Sequence, residues 1–192
     1  MENEKKDLEQ DVTTEELSNE QTSEYEPKNK YERVLYRVYK DETLNEILKI
    51  SSCAIVVFTV YAFFMRLMAL VEENPLEIFW ILLLTGIPFV AVSVLRKAIN
   101  APRPYEFFEF YKINPKDKKG QSFPSRHVFS SFIISIILMP YNVLLGITML
   151  VLGAVLAAVR VLLGIHFIRD VAAGAAIGIA CGIIALVVLQ FV

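Results

Sequence analysis

The chain has 192 residues, 55% of them hydrophobic, and a mean hydropathy of +0.47. Those values exclude an ordinary soluble domain and indicate a polytopic membrane protein. The formal net charge of −2 hides a segregation. Residues 1–46 carry 14 of the 21 acidic side chains, whereas Arg96 to Arg126 holds eight basic residues against Glu106, Glu109 and Asp117.

Residues 1–30 are mostly Glu, Asp, Asn, Gln, Ser, Thr and Lys. They cannot bury enough apolar surface to offset ordering entropy, so a disordered acidic tail is expected. They show neither the basic start nor the apolar stretch of a secretory leader. Over 31–46, Tyr31, Val34, Leu35 and Val38 recur at helical spacing with Glu32, Arg33, Arg37 and Lys40 between them. This pattern fits a short amphipathic helix on the membrane surface, or a soluble lead-in to the first span.

Residues 47–192 then read as one membrane domain. A bilayer core takes about 20 helical residues, and five apolar segments approach that length. The first spans about Ile47 to Val71, with Arg66 close enough to its end to snorkel. Glu72 to Pro75 ends it. The second, about Leu76 to Ile99, contains Pro88, a kink site. The third runs from His127 to Met139 and looks short, so it starts earlier or lies against other protein. The fourth spans about Asn142 to Leu163 and the fifth about Asp170 to Val192. The fold class expected is all-α: a transmembrane bundle of about five spanning helices plus a short amphipathic helix.

On the fifth segment Gly174, Gly178 and Gly182 share one face and permit close helix contact. Intrachain packing is favoured over a homodimer seam, with Ala154, Ala157 and Ala158 as a facing surface. Cys53 and Cys181 fall in apolar stretches and are expected to be buried thiols; no Cys/His spacing suggests a metal site.

The long polar loop from Asn100 to Arg126 carries aromatic side chains, among them Tyr105, Phe107, Phe108, Phe110, Tyr111 and Phe123, which favour the headgroup layer. Chemistry gathers round it. There are only two histidines. His127 closes Pro124-Ser125-Arg126-His127, and His166 lies six residues after Arg160 and four before Asp170. Arginine near a membrane segment is costly and usually functional. The second and third segments meet at the basic loop; the third leaves that face and the fourth returns to it. The parity therefore brings Arg96, Arg103, Arg126, Arg160 and both histidines to one interfacial site. Asp170, four residues from His166, can hold one ring nitrogen protonated and leave the other free to attack phosphorus. The alternative is a carboxylate that only caps a helix.

These residues resemble the PAP2 family of membrane phosphatases. That family's pattern is Lys-x6-Arg-Pro, then Pro-Ser-Gly-His, then Ser-Arg-x5-His-x3-Asp. Here Arg96-x6-Arg103-Pro104, Pro124-Ser125-Arg126-His127 and Val159-Arg160-x5-His166-x3-Asp170 stand in order. The resemblance implies that His166 attacks phosphorus to form a phosphohistidine and that Asp170 orients it. His127 would protonate the leaving oxygen and then activate water. Arg96, Arg103, Arg160, Ser125 and the Arg126 N–H would bind the phosphoryl oxygens. No metal or other cofactor is implied, nor a nucleic-acid partner; the partners are the membrane and a lipid phosphate.

Three departures stand out. Arg96 replaces a lysine, which keeps the charge but changes its geometry. Val159 replaces a serine, and Arg126 replaces the glycine, which leaves the N–H but adds a long side chain; that side chain is a candidate to reach a second phosphate. The reading is a lipid phosphatase, with undecaprenyl diphosphate as the preferred substrate. A lipid phosphotransferase and an inert lipid-binding protein are the alternatives. Orientation stays open. The positive-inside rule, with Lys112, Lys116, Lys118 and Lys119, places the loop in the cytoplasm; the resemblance places the site on the extracytoplasmic side.

Overall fold

The computed structural model describes residues 25–112 and 119–191. The acidic segment 1–24, loop residues 113–118 and Val192 lie outside the described residues. Residues 25–30, read above as part of the tail, have defined contacts. Tyr25 packs against Tyr36 and Phe110, with ring centroids 5.3 and 5.2 Å apart, and its hydroxyl bonds to Glu32.

All regular structure among the described residues is helical. The elements are α1 (Lys30–Lys40), α2 (Glu42–Glu73), α3 (Pro75–Ile99), α4 (Pro104–Phe107), a 3-10 turn (Glu109–Lys112), α5 (Arg126–Leu138), α6 (Val143–Leu162) and α7 (Ile168–Leu189). Four starts are set by side-chain caps: Asn29, Asp41, Asn74 and Asn142 accept from the N–H groups of Glu32, Leu44, Glu77 and Leu145. Such caps satisfy first-turn donors that have no partner within the helix. Pro75 opens α3, where its missing N–H costs nothing. The same helix continues through Pro88 without a break.

Helices α2, α3, α6 and α7 are long and apolar enough to cross a membrane, so the chain is a multi-pass membrane protein. Their outer faces expose Phe64, Val90, Val94, Val151 and Ile184, a surface suited to lipid rather than water. About five spans were expected. The remaining one, α5, has 13 residues and reaches only about 20 Å. It is the central helix: Val128, Phe129, Ile133, Ile137 and Leu138 are buried, and α2, α3, α6 and α7 all pack on it. A helix wrapped by protein does not need the full thickness of the bilayer.

The glycine stripe of α7 faces this central helix. A Cβ on Gly174 would lie 2.5 Å from the Ser125 carbonyl oxygen, on Gly178 2.6 Å from that of Phe129, and on Gly182 2.7 Å from Ile136 Cβ. The stripe is thus an intrachain seam. Its partner is not the expected alanine surface: Ala154 and Ala158 are exposed and Ala157 is half-buried. The thiols also differ from expectation. Cys53 is exposed on α2 and Cys181 is half-buried, because an apolar position on a lipid-facing helix need not point inward. Arg66 pairs with Glu73 at 3.2 Å and Glu77 at 3.9 Å and lies 3.5 Å over the Tyr141 ring. This fixes the bundle end opposite the site described below.

Helix α1 does not continue to residue 46; α2 begins at Glu42. The apolar side of α1 is in use within the chain. Leu35 is fully buried in an aromatic cluster with Tyr105, Phe110 and Tyr111.

Candidate active site

Three pieces of chain converge at one end of the bundle. The first is the last turn of α3. Arg96 is buried there, and its guanidinium fork donates to the carbonyls of Pro124, at 3.1 Å, and Gln121. Lys97, one residue on, is exposed. Arg103 Nε donates to Gly120 O at 2.8 Å. Glu106 accepts from the N–H groups of both Arg103 and Gly120. The residues of the first motif therefore also clamp the loop that leads into the second. A lysine at position 96 would reach those two carbonyls less well than a planar fork.

The second piece is the start of α5. Ser125 occupies its N-cap position, yet the hydroxyl makes no capping bond. It is buried with no hydrogen-bond partner among the described residues. The first N–H groups of α5, that of Arg126 among them, have no intrahelical acceptor and carry the positive end of the helix dipole. His127 follows, half-buried. Arg160, His166, Arg126 and Arg96 are all within electrostatic range of it.

The third piece is the turn between α6 and α7. The Arg160 carbonyl accepts from the N–H groups of Ile165 and His166, at 3.1 and 3.3 Å. The five-residue spacing is thus that of one closed helix end. Gly164 takes φ +64°, and a Cβ there would collide with the Tyr111 hydroxyl, so both the backbone and the space call for glycine. Arg160 Nε is buried with no hydrogen-bond partner among the described residues.

His166 lies in this turn, ahead of α7, rather than on a helix face shared with Asp170. Its Nδ1 is 3.8 Å from Asp170 Oδ2, too far for a hydrogen bond. Ser122 fills the gap. Its hydroxyl donates to Asp170 Oδ2 at 2.5 Å and lies 3.3 Å from His166 Nδ1. A hydroxyl carries one proton; with that proton given to Asp170, the oxygen accepts from Nδ1–H. This selects the tautomer with Nε2 free. Asp170 also accepts from the Phe167 N–H at 2.9 Å, so it caps α7 as well as anchoring Ser122. Ser122 did not figure among the sequence-derived candidates. It stands in the same polar stretch as Ser125, and its partners lie 44 and 48 residues away.

The electrostatics are one-sided. Among the described residues, none of Arg96, Arg103, Arg126 and Arg160 forms an ion pair with a carboxylate. Burial is the largest influence on His166 and holds its imidazole below the ordinary histidine value, against the upward pull of Asp170. Among the described residues, no group of three His, Cys, Asp or Glu is placed to hold a metal ion. All eight sequence-derived residues lie at this end of the bundle. They contribute unequally: Arg96 and Arg103 are engaged with carbonyls, whereas Arg160 Nε and Ser125 Oγ are not.

Four arginines and two histidines around a single buried carboxylate, Asp170, gathered at the end of a lipid-facing bundle, suit one class: a membrane phosphatase. Residues 74–192 match the family model of the PAP2 superfamily, and the chain belongs to that superfamily. A solved structure of Aquifex aeolicus LpxE is 25% identical over 73% of this chain and 86% of that one, with a TM-score of 0.59. A transmembrane PAP2-type phosphatidylglycerolphosphate phosphatase from Bacillus subtilis is 17% identical over 84% and 93%, with a TM-score of 0.56, and shares the fold. No curated protein matches the chain.

Proposed function

We propose that the protein hydrolyses the terminal phosphoryl group of a lipid phosphate through a phosphohistidine on His166. The observation that carries this is that Arg160 Nε and Ser125 Oγ, both at this site, are among the buried polar atoms with no hydrogen-bond partner among the described residues. Buried groups of this kind are nearly always partnered, and a tetrahedral oxyanion between the two histidines would satisfy both.

In the first step Nε2 of His166 attacks phosphorus and the bond from phosphorus to the lipid oxygen breaks. His127 gives its proton to that oxygen. Ser122 and Asp170 hold Nδ1–H and favour the imidazolium character that develops. In the second step His127 takes a proton from water. The resulting hydroxide attacks phosphorus, the P–N bond breaks, and inorganic phosphate leaves with His166 restored. Arg96, Arg103, Arg160, Ser125 and the Arg126 N–H stabilise charge on the phosphoryl oxygens, the usual main contribution to such chemistry. The favoured substrate is undecaprenyl diphosphate, and the site faces the extracytoplasmic side of the cell membrane.

The test is phosphate release by purified protein in detergent with chelator present. The panel is undecaprenyl diphosphate, phosphatidylglycerol phosphate and phosphatidate, with His166→Ala as control. The expected result is release that vanishes in the variant, fastest on the diphosphate. No release on any lipid would oppose the reading; transfer to a second lipid or to a sugar would then identify a phosphotransferase, and binding without either an inert lipid-binding protein.

A further inference from the structure

A cavity of about 220 Å³ opens beside His127 within the bundle. Val56 and Val60 of α2, Phe89 of α3 and Leu156 of α6 give it apolar walls, Thr59, Ser130 and Ser131 add hydroxyls, and Arg126 and His127 meet it from α5. The Arg126 guanidinium lies over the Phe89 ring, 5.2 Å from its centroid. Its Nη1 is 3.4 Å from Ser93 Oγ. Ser93 and Phe89 precede Arg96 by three and seven residues on the same helix, so they lie about 4.5 and 10 Å further from the loop.

The cations therefore form two tiers. Arg96 and Arg103 are turned toward the loop carbonyls of Gln121, Pro124 and Gly120. Arg126 is turned the other way, down α3 and into the cavity that also holds His127. In the reaction proposed above, His127 protonates the leaving oxygen. Whatever shares its cavity is then on the lipid side of the scissile bond. Among the residues that line the cavity Arg126 is the one full cation, facing hydroxyls, a histidine and apolar side chains but no carboxylate, and it gains most from an anion placed there. The glycine of the family pattern would leave this tier without charge.

We infer that Arg126 forms a second anion subsite, for a phosphate on the leaving-group side of the scissile bond, and so selects lipid diphosphates over lipid monophosphates. This rests on the phosphatase reading. Phosphorus at the terminal position would sit among Arg96, Arg103 and Arg160, and the phosphate that stays with the lipid would meet Arg126.

The experiment compares kcat/KM for farnesyl diphosphate, farnesyl monophosphate and phosphatidylglycerol phosphate in the full-length wild type, Arg126→Gly and Arg126→Gln. The last substrate carries its second phosphate beyond a glycerol. The ratio of diphosphate to monophosphate should fall about 10- to 100-fold in both variants, the range for one charge-assisted hydrogen bond. A fall in phosphatidylglycerol phosphate turnover that matches the diphosphate would mean that Arg126 reads any nearby anion, and would overturn the assignment to a directly bonded phosphate. An equal loss on all three would overturn the subsite. Where a variant turns over nothing, thermal stabilisation by farnesyl methylenebisphosphonate against farnesyl phosphonate decides: the wild type should prefer the bisphosphonate and the variants should not. That binding preference also separates the two readings. If the wild type releases no phosphate yet prefers the bisphosphonate through Arg126, the phosphatase reading fails and the subsite stands.

Discussion

At Ser122 one oxygen serves two partners, donating to Asp170 and accepting from His166. Truncating it to alanine removes the hydroxyl that, among the described residues, joins His166 to Asp170, and the separation of 3.8 Å that remains is too long to replace it. Ser122→Ala should lower kcat by about 10- to 100-fold with little change in KM, the pattern of an interaction that strengthens in the transition state. An unchanged kcat would mean that Asp170 orients His166 without the hydroxyl. The pH profile of the wild type belongs to the same experiment. In the proposed reaction His166 attacks only when neutral, and burial keeps its folded pKa below 6.5. The neutral fraction therefore persists as pH falls past 6.5, and the acid limb of kcat/KM lies below that value. By linkage the stability tied to neutral His166 is present above 6.5 and is lost as pH falls toward the folded value. The histidines, Asp170 and Arg160 were legible because motif spacing along one chain encodes their meeting. Ser122 was not: no local pattern tells which of two serines in a polar loop will reach a turn more than forty residues away.

At the level of elements, the site depends on how closely α7 approaches α5. The Asp170 carbonyl accepts from the Ser125 N–H at 2.9 Å, one turn from the contact of Gly174 with the Ser125 carbonyl. The glycine stripe thus sets the register of the second motif against the third. Gly178→Ala would bring a methyl within 2.6 Å of the Phe129 carbonyl oxygen, and backbone cannot yield cheaply. It should destabilise the protein by about 1–3 kcal/mol. Gly86→Ala, on α3 with nothing within 4 Å of the added atom, should leave stability unchanged or slightly raised by helix propensity. Thermal unfolding in detergent checks both, and equal shifts would contradict the account. The stripe itself could be read from its four-residue spacing. Its partner could not. The alanines of α6 offered small side chains, but the short α5 takes the centre because its polar start is tied to the loop and its length leaves it no lipid-facing role. The aromatic residues of the loop were plain in the sequence, while the packing of Leu35 against Tyr105, Phe110 and Tyr111 emerged only in three dimensions.

Across the whole molecule the two ends of the bundle are chemically distinct. Arg66 pairs with Glu73 and Glu77 beside Tyr141 at one end; at the other, four arginines and two histidines gather around Asp170, and among the described residues none of those arginines pairs with a carboxylate. Hydropathy alone revealed the bundle and the parity that gathers the site. It did not reveal the side of the membrane, because the charge rule counts arginines whether they mark the cytoplasm or serve a phosphate. With the site extracytoplasmic, a cysteine placed at the exposed Lys119 should react with a membrane-impermeant maleimide in intact cells. Reaction only after permeabilisation would put the site inside. The central claim, however, is covalent and independent of orientation. The most direct measurement is to quench a turning-over mixture of protein and lipid diphosphate into alkali, digest it, and locate phosphate on the peptides by mass spectrometry. The account predicts phosphate on Nε2 of His166, absent in His166→Ala. Lipid hydrolysis with no phosphohistidine, or with the phosphoryl group on any other residue, would contradict it.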